Sequence, residues 1–258
     1  VGGHGTSGSF GPLLETDYAV VGATTVALAA ATYGLVSGSM MGGPIARARV
    51  EKLHLKSTAA AEGNETAEVM PAVDGQKFTT SAMFLAVAIG LGTLIFTFFK
   101  DVCHLTFPTY IGAMLAAAAI RNIWDVQHKD LPMVEIDALG GLSLNLFLSM
   151  AMMSLKLWQL AALALPMIVI LLVQTVVMFL FANFVVFNVM GRDYEAAAMT
   201  TAFCGFGMGA TPNAMANMRA LVERYGAAPR AFFIVPLVGS LFVDFFNSMV
   251  LTTFMNFL

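Results

Sequence analysis

The sequence predicts an all-α, multi-pass membrane protein of the inverted-repeat kind. Each repeat carries a Gly-rich re-entrant loop, and most of the first repeat is lacking. Three observations predict it. Apolar residues make up 58% of the 258 residues and Asp, Glu, Lys and Arg only 11%, far below the roughly 25% charged of soluble domains. Six stretches carry none of those four residues: 18–46, 78–99, 138–155, 157–191, 196–218 and 231–243. Several are as long as the roughly 20 residues that span a bilayer. Finally, two uncharged Gly-rich segments, one near each end, precede spans of similar make-up: GGHGTSGSFGPLLE before GLVSGSMMGG, and GFGMGATPNAMANMRALVE before PLVGSLFVDFFNSM.

Residues 1–17 read as the second arm of a hairpin or a broken helix. The chain opens inside this Gly-rich element without a Met, and it is read as a piece with sequence missing upstream. The first span is expected over Asp17–Gly43, lined by small residues such as Gly22, Gly34 and Gly38 that permit close helix contact. Gly42-Gly43-Pro44 is expected to end it. Arg47, Arg49, Lys52 and Lys56 follow and place this end in the cytoplasm by the positive-inside rule. Residues 57–77 are polar and read as a linker. The division is therefore 1–46 (end of the first repeat), 47–77 (cytoplasmic linker) and 78–258 (second repeat, five spans and a loop).

Further spans are expected at Phe78–Phe99, Phe107–Trp124 and Ala138–Leu155. Arg121 in the second of these snorkels to the interface. Leu157–Val189 would be ~50 Å long as a helix, beyond the ~30 Å hydrocarbon core, so a kink is expected at Pro166. Ala196–Met218 either spans or dips in and returns. A span would put Arg219, Arg224 and Arg230 outside, against the charge rule, so re-entry is expected. The last span is Ala231–Leu258. The first and last spans then run in opposite directions, which is an inverted repeat.

The run from Cys204 to Met218 carries the chemistry. Gly205, Gly207 and Gly209 let the backbone bend and approach a ligand. Thr211-Pro212 reads as N-cap and first helical residue, with Asn213 and Asn217 on one face beyond. Such a broken element offers carbonyls to a cation and a positive helix end to an anion. It survives at membrane depth only where it is buried or lines a cavity. Asp244 is the one formal charge between Ala231 and Leu258, and an acid inside a span is a functional candidate; Asn247 shares its face. His4 reads as a structural hydrogen bonder before a proton carrier. Cys103 and Cys204 are too few for a disulfide framework, and the net charge of −3 argues against nucleic acid. No cleavable signal peptide is legible. Gly205-x-Gly207-x-x-Ala210 matches a dinucleotide fingerprint but lacks its strand and its distant acid. No catalytic constellation appears, so an enzyme is not expected.

Gly2-Gly3-His4-Gly5-Thr6, the run Gly205–Met218 and Ser154-Leu155-Lys156-Leu157-Trp158-Gln159-Leu160 resemble the bacterial sodium/glutamate symporter family over essentially the whole chain. The resemblance implies two five-span inverted domains joined by a cytoplasmic linker, the first lacking about four spans here. It implies a secondary active transporter, sodium-coupled uptake of glutamate across the bacterial inner membrane, with sodium as coupling ion and no cofactor. Substrate contacts are expected from Gly3, Gly5, Thr6, Ser7, Gly209, Ala210, Thr211, Asn213 and Asn217. Sodium contacts are expected from Gly205, Gly207, Asn217, Asp244 and Asn247. Partners are L-glutamate or a similar dicarboxylic amino acid, Na+, the bilayer and, for assembly, a homodimer. The competing readings are a sodium/proton antiporter and a sodium-coupled carrier of another small carboxylate.

Overall fold

A computed structural model describes residues 3–57, 74–103, 109–153, 157–255 and 257. At a few helical positions, 157–163 and Asp244 among them, it describes the backbone alone. The expected linker falls largely on 58–73, and Ser154-Leu155-Lys156 on 154–156; both lie outside the described residues. Among the described residues every regular element is helical, and three helices are long and apolar enough to cross a membrane: Ala23–Lys52, Gly75–Val102 and Ala164–Val189.

The chain forms two compact units. The larger joins Val1–Asn64 with Leu155–Thr253, a spatial grouping that differs from the sequence division into repeats. Here α1 (Gly3–Asp17) folds back along α2 (Ala23–Lys52). His4 meets Thr32, Glu15 accepts from the Thr24 N–H at 3.0 Å, and Gly11 lies so close that a Cβ would stand 2.6 Å from the Thr24 Cα. Contrary to the expected stop, α2 runs through Gly42-Gly43-Pro44 to Lys52. The reason lies in packing: Ile45, Ala46 and Val50 beyond the Pro are buried, and their burial outweighs the local break signal.

Next, α6 (Leu157–Phe181) contains Pro166 within one continuous helix. The irregular turn comes later, as a π-helical segment Ala182–Val186 leading into the single turn α7 (Phe187–Val189). The expected kink site is therefore corrected: Pro166 sits within the ladder, and the extra residue is inserted one helix-end later. Leu165, Ile170 and Val173 are each more than half exposed, the look of a helix whose solvent is lipid. Two helices follow, α8 (Tyr194–Met208) and α9 (Thr211–Tyr225). The last arm is α10 (Pro229–Leu237), a π segment Val238–Val243, and α11 (Asp244–Met255).

The smaller unit holds α3 (Gly75–Cys103), α4 (Thr109–Val126) and α5 (Met133–Met153). Gly92 and Gly112 bring α3 and α4 into backbone contact, a Cβ on either falling 2.3 Å from the other helix. Glu135, buried in the first turn of α5, accepts the Asp74 N–H at 3.2 Å, placing a carboxylate at the positive start of two helices.

Candidate functional site

The candidate site is built by a helical hairpin and the helix ends around its tip. Asp193 caps α8 by accepting the Ala196 N–H at 2.7 Å. The two arms, α8 and α9, then meet at three levels. At the base the Tyr194 hydroxyl donates to the Gly226 carbonyl; burial, with the Glu195 charge second, pushes this phenol up to about 12, so it remains a donor at neutral pH. Midway, the Asn217 amide donates to the Thr201 carbonyl at 3.2 Å. Near the tip Gly205 faces Ala214, where a Cβ would lie 2.5 Å from the Ala214 Cα. Both ends of the segment therefore come back to one place.

The break is narrower than the sequence suggests. Gly205 to Met208 stay helical, so the expected unwinding over Gly205–Ala210 is corrected to Gly209 and Ala210 alone. Ala210 is extended (φ −152°, ψ 167°) and serves as N-cap, while Thr211 is the first helical residue. The N-cap expected at Thr211 is thus shifted by one, and its hydroxyl makes no cap. Thr211 instead meets the π segment, where a Cβ on Gly239 would be 2.7 Å from the Thr211 Oγ1.

A helix leaves its last four carbonyls without intrahelical partners. The Gly205 carbonyl accepts the Gly209 N–H at 2.9 Å and the Asn213 amide at 3.4 Å. The Met208 carbonyl faces Gly34, where a Cβ would be 2.0 Å away. Among the described residues no backbone N–H beyond the helix takes the Phe206 or Gly207 carbonyl. Gly207 faces Met178, whose methyl would be 2.5 Å from a Cβ there.

The hairpin lies on a glycine rail of α2. Gly34, Gly38 and Gly42 meet Met208, Cys204 and Thr201 with no room for a side chain. Asn213 and Asn217 fasten it. The Asn213 amide donates to the Leu35 carbonyl at 3.1 Å and its oxygen accepts from the Ser39 hydroxyl at 2.5 Å. Asn217 donates to the Gly38 carbonyl at 3.2 Å. Both are buried, and their amide N–H groups bind protein.

The first Gly-rich segment arrives at the same tip. Gly3, with φ +76°, is placed so that a Cβ would be 3.1 Å from both the Gly209 oxygen and the Ala210 Cβ. Thr32 donates its one hydroxyl hydrogen to the Leu28 carbonyl at 2.8 Å, so the 3.0 Å contact with His4 Nε2 is donated by the imidazole. Next to it Gly5 is exposed and a Cβ there would meet nothing within 4 Å. Thr6 is half-buried, and Ser7 is buried with its hydroxyl lacking a partner. The starts of α1 and α9, two positive helix ends, thus adjoin one break.

The structure brings together Gly3, Gly5, Thr6, Ser7, Gly209, Ala210 and Thr211, with Asn213 and Asn217 behind them. The Asp244 side chain lies outside the described residues; its backbone opens α11 directly after the π segment. Asn247, on α11, is half-buried and its amide nitrogen lacks a partner. Sequence reasoning missed Glu195. Its two carboxylate oxygens accept the Arg230 and Ala231 N–H groups, at 3.3 and 2.8 Å, and tie the hairpin base to α10. An acid in a first helical turn was the available signal, but its partner 35 residues on was not.

No solved structure matches the chain. The family model described as sodium/glutamate symporter matches residues 1–227. The sodium/glutamate symporter of Escherichia coli (strain K12) is 38% identical over 262 residues, covering 98% of this chain and 65% of that protein. That of Haemophilus influenzae is 35% identical over 259 residues, covering 97% of the chain and 64% of that protein. The chain thus spans under two thirds of the length of these relatives. With a family match across the glycine rail, both tip segments and the hairpin, the chain belongs to the sodium/glutamate symporter family.

Proposed function

We propose that this chain is part of a sodium-coupled glutamate symporter and carries the residues that bind both solutes. The observation that supports this best is the meeting of the α1 and α9 starts at Gly209–Ala210. Glutamate brings two carboxylates, which suit two positive helix ends and their unpaired N–H groups. Gly3, Gly5, Thr6 and Ser7 serve one side of the solute; Gly209, Ala210 and Thr211 serve the other. Asn213 and Asn217 hold the break in place, leaving the Asn217 carbonyl oxygen for sodium. The orphaned carbonyls at Phe206 and Gly207 are oxygen donors of the kind sodium takes; Asp244 and Asn247, on the neighbouring arm, complete the candidate set, whereas the Gly205 carbonyl is already occupied.

In this reading α8–α9 is a re-entrant hairpin, and α1 is the surviving arm of its inverted counterpart. The repeats divide as 1–46 and 78–258 about a cytoplasmic linker, and the protein is multi-pass in a bacterial inner membrane, as a homodimer. A symporter family implies transport rather than catalysis. The test is uptake of labelled glutamate by the full-length protein in proteoliposomes, with and without a sodium gradient, competed by aspartate and glutamine. Gradient-dependent uptake, competed best by glutamate, is expected. Sodium flux that needs no amino acid, or exchanges for protons, would replace symport with antiport. Stronger competition by a different carboxylate would change the substrate.

A further inference from the structure

Away from the tips, α2 and α6 diverge to leave an apolar groove with a cavity of about 560 Å³. Tyr33, Val36, Met40 and Pro44 line one wall, and Thr175 and Phe179 the other. A 3.1 Å hydrogen bond between Tyr33 and Thr175 joins the walls. Both walls belong to helices long and apolar enough to cross a membrane. Val36 and Met40 are 50% and 72% exposed, so the groove is open to whatever solvates these helices.

Its length matches one leaflet. Tyr33 to Pro44 is ~16 Å along a helix at 1.5 Å per residue, about half of a ~30 Å hydrocarbon core. One turn past Pro44 the chemistry changes. Residues 47–56 carry Arg47, Arg49, Lys52 and Lys56 against the single acid Glu51. Arg47 shares the groove face with Pro44, three residues back. It is paired to Glu51 through Nε at 2.9 Å, yet its side chain is 55% exposed. Arg49 reaches across to α6, donating to the Asn183 carbonyl at 2.9 Å in the π segment, with its guanidinium 4.9 Å from the Phe187 ring centre. Among the described residues Arg49 has no carboxylate partner. An apolar slot of one-leaflet length, ending at guanidinium groups in excess over acid, has the layout of a phospholipid.

We propose that this groove is a binding site for an anionic phospholipid, one acyl chain lying between α2 and α6 and the phosphate at Arg47 and Arg49. The proposal rests on the chain being embedded in a bilayer and is independent of which solute it carries. The cations attract the headgroup by a surface-charge effect worth roughly fivefold in affinity per guanidinium; the groove supplies the apolar contact.

The test is native mass spectrometry of the full-length transporter, titrated with phosphatidylglycerol or with phosphatidylethanolamine of the same chains. Phosphatidylglycerol is expected to be retained at concentrations at least fivefold lower. R47Q/R49Q is expected to erase that preference. Val36→Phe, which fills the slot and leaves the charges, is expected to lower retention of both lipids, and it carries the test alone if the double variant does not fold. Glycerol phosphate, the headgroup without chains, is expected not to compete. Equal retention of the two lipids by the unaltered protein would overturn the proposal. So would unchanged retention by V36F, the result expected if a second copy or another part of the transporter covers the groove. Competition by glycerol phosphate would replace the lipid with a free phosphate.

Discussion

Gly5 separates a binding role from a packing role more cleanly than any other position. It lies inside α1, where Gly costs about 1 kcal/mol relative to Ala. A Cβ there would meet nothing within 4 Å, so the protein's own packing gives no reason for Gly. Gly5→Ala is therefore expected to leave stability equal or raised by up to about 1 kcal/mol. If the open space belongs to a substrate carboxylate, the added methyl displaces it from the first-turn N–H groups. Losing one charge-assisted hydrogen bond costs about 1.5–3 kcal/mol, so KM for glutamate is expected to rise by roughly 10- to 150-fold. The assay pairs sodium-driven uptake with thermal melting of the same purified full-length variant. Gly38→Ala is the contrast: its Cβ would lie 2.7 Å from the Cys204 carbonyl oxygen, so melting temperature falls first. A Gly5→Ala protein that melts like the parent and transports with the parent KM would refute the placement of substrate at this tip.

Further outcomes follow from the same geometry. Asn217→Ala leaves the Gly38 and Thr201 carbonyls without their buried donor, a loss of about 1–3 kcal/mol for each, to be read as a lowered melting temperature; unchanged melting would show that the two bonds are not made. Glu195→Ala removes both acceptors from the start of α10 and is expected to speed proteolysis at Gly226–Ala228, with Glu195→Gln partly protective because one acceptor oxygen remains. Gly239→Ala pushes a methyl onto the Thr211 Oγ1; it is expected to raise KM with the protein still folded, and an unaltered KM would detach the π segment from the site. Asp244→Asn is expected to reduce sodium-coupled uptake far more than expression, whereas intact sodium dependence would remove Asp244 from the ion site.

Much of this site is legible in the sequence because Gly, Pro and the N-cap residues act locally. The break after Gly209 sits where Gly209-Ala210-Thr211-Pro212 announces it. Its length is not legible, because whether Gly205 to Met208 unwind depends on partners elsewhere. Gly205 is held by Ala214 and Gly209 by α2, and a helix that keeps its ladder avoids orphaned groups in an apolar medium. The same rule explains Gly42-Gly43-Pro44, a stop signal in water that α2 passes because Ile45, Ala46 and Val50 are buried further on. Pro166 has the strongest local kink signal in its segment, while the π turn falls at Ala182–Val186, where no Gly or Pro marks it. Asn213 and Asn217 are visible as a pair on one face; which carbonyls they bind is decided by α2, some 180 residues away in sequence.

One level of one helix sets the geometry of the tip. Within α2, Thr32 receives His4, Gly34 receives the Met208 carbonyl, and Leu35 receives both the Asn213 amide, through its carbonyl, and Gly209, against its Cα. These four consecutive positions, about 5 Å of helix axis at 1.5 Å per residue, therefore locate the start of α1 and the break between α8 and α9 in a common frame. Neither Gly-rich segment can shift along α2 without breaking buried hydrogen bonds or driving a carbonyl into a glycine Cα, since interiors packed this closely have discrete arrangements rather than a continuum. A solute that touches both tips meets donors whose spacing is fixed before it arrives, which lowers the ordering cost of binding. Coupling needs a ligand whose contacts differ between two arrangements. With the flanking helices held at this level, Gly209 and Ala210 are the residues through which an ion at the α8 carbonyls and an anion at the α9 start can sense one another.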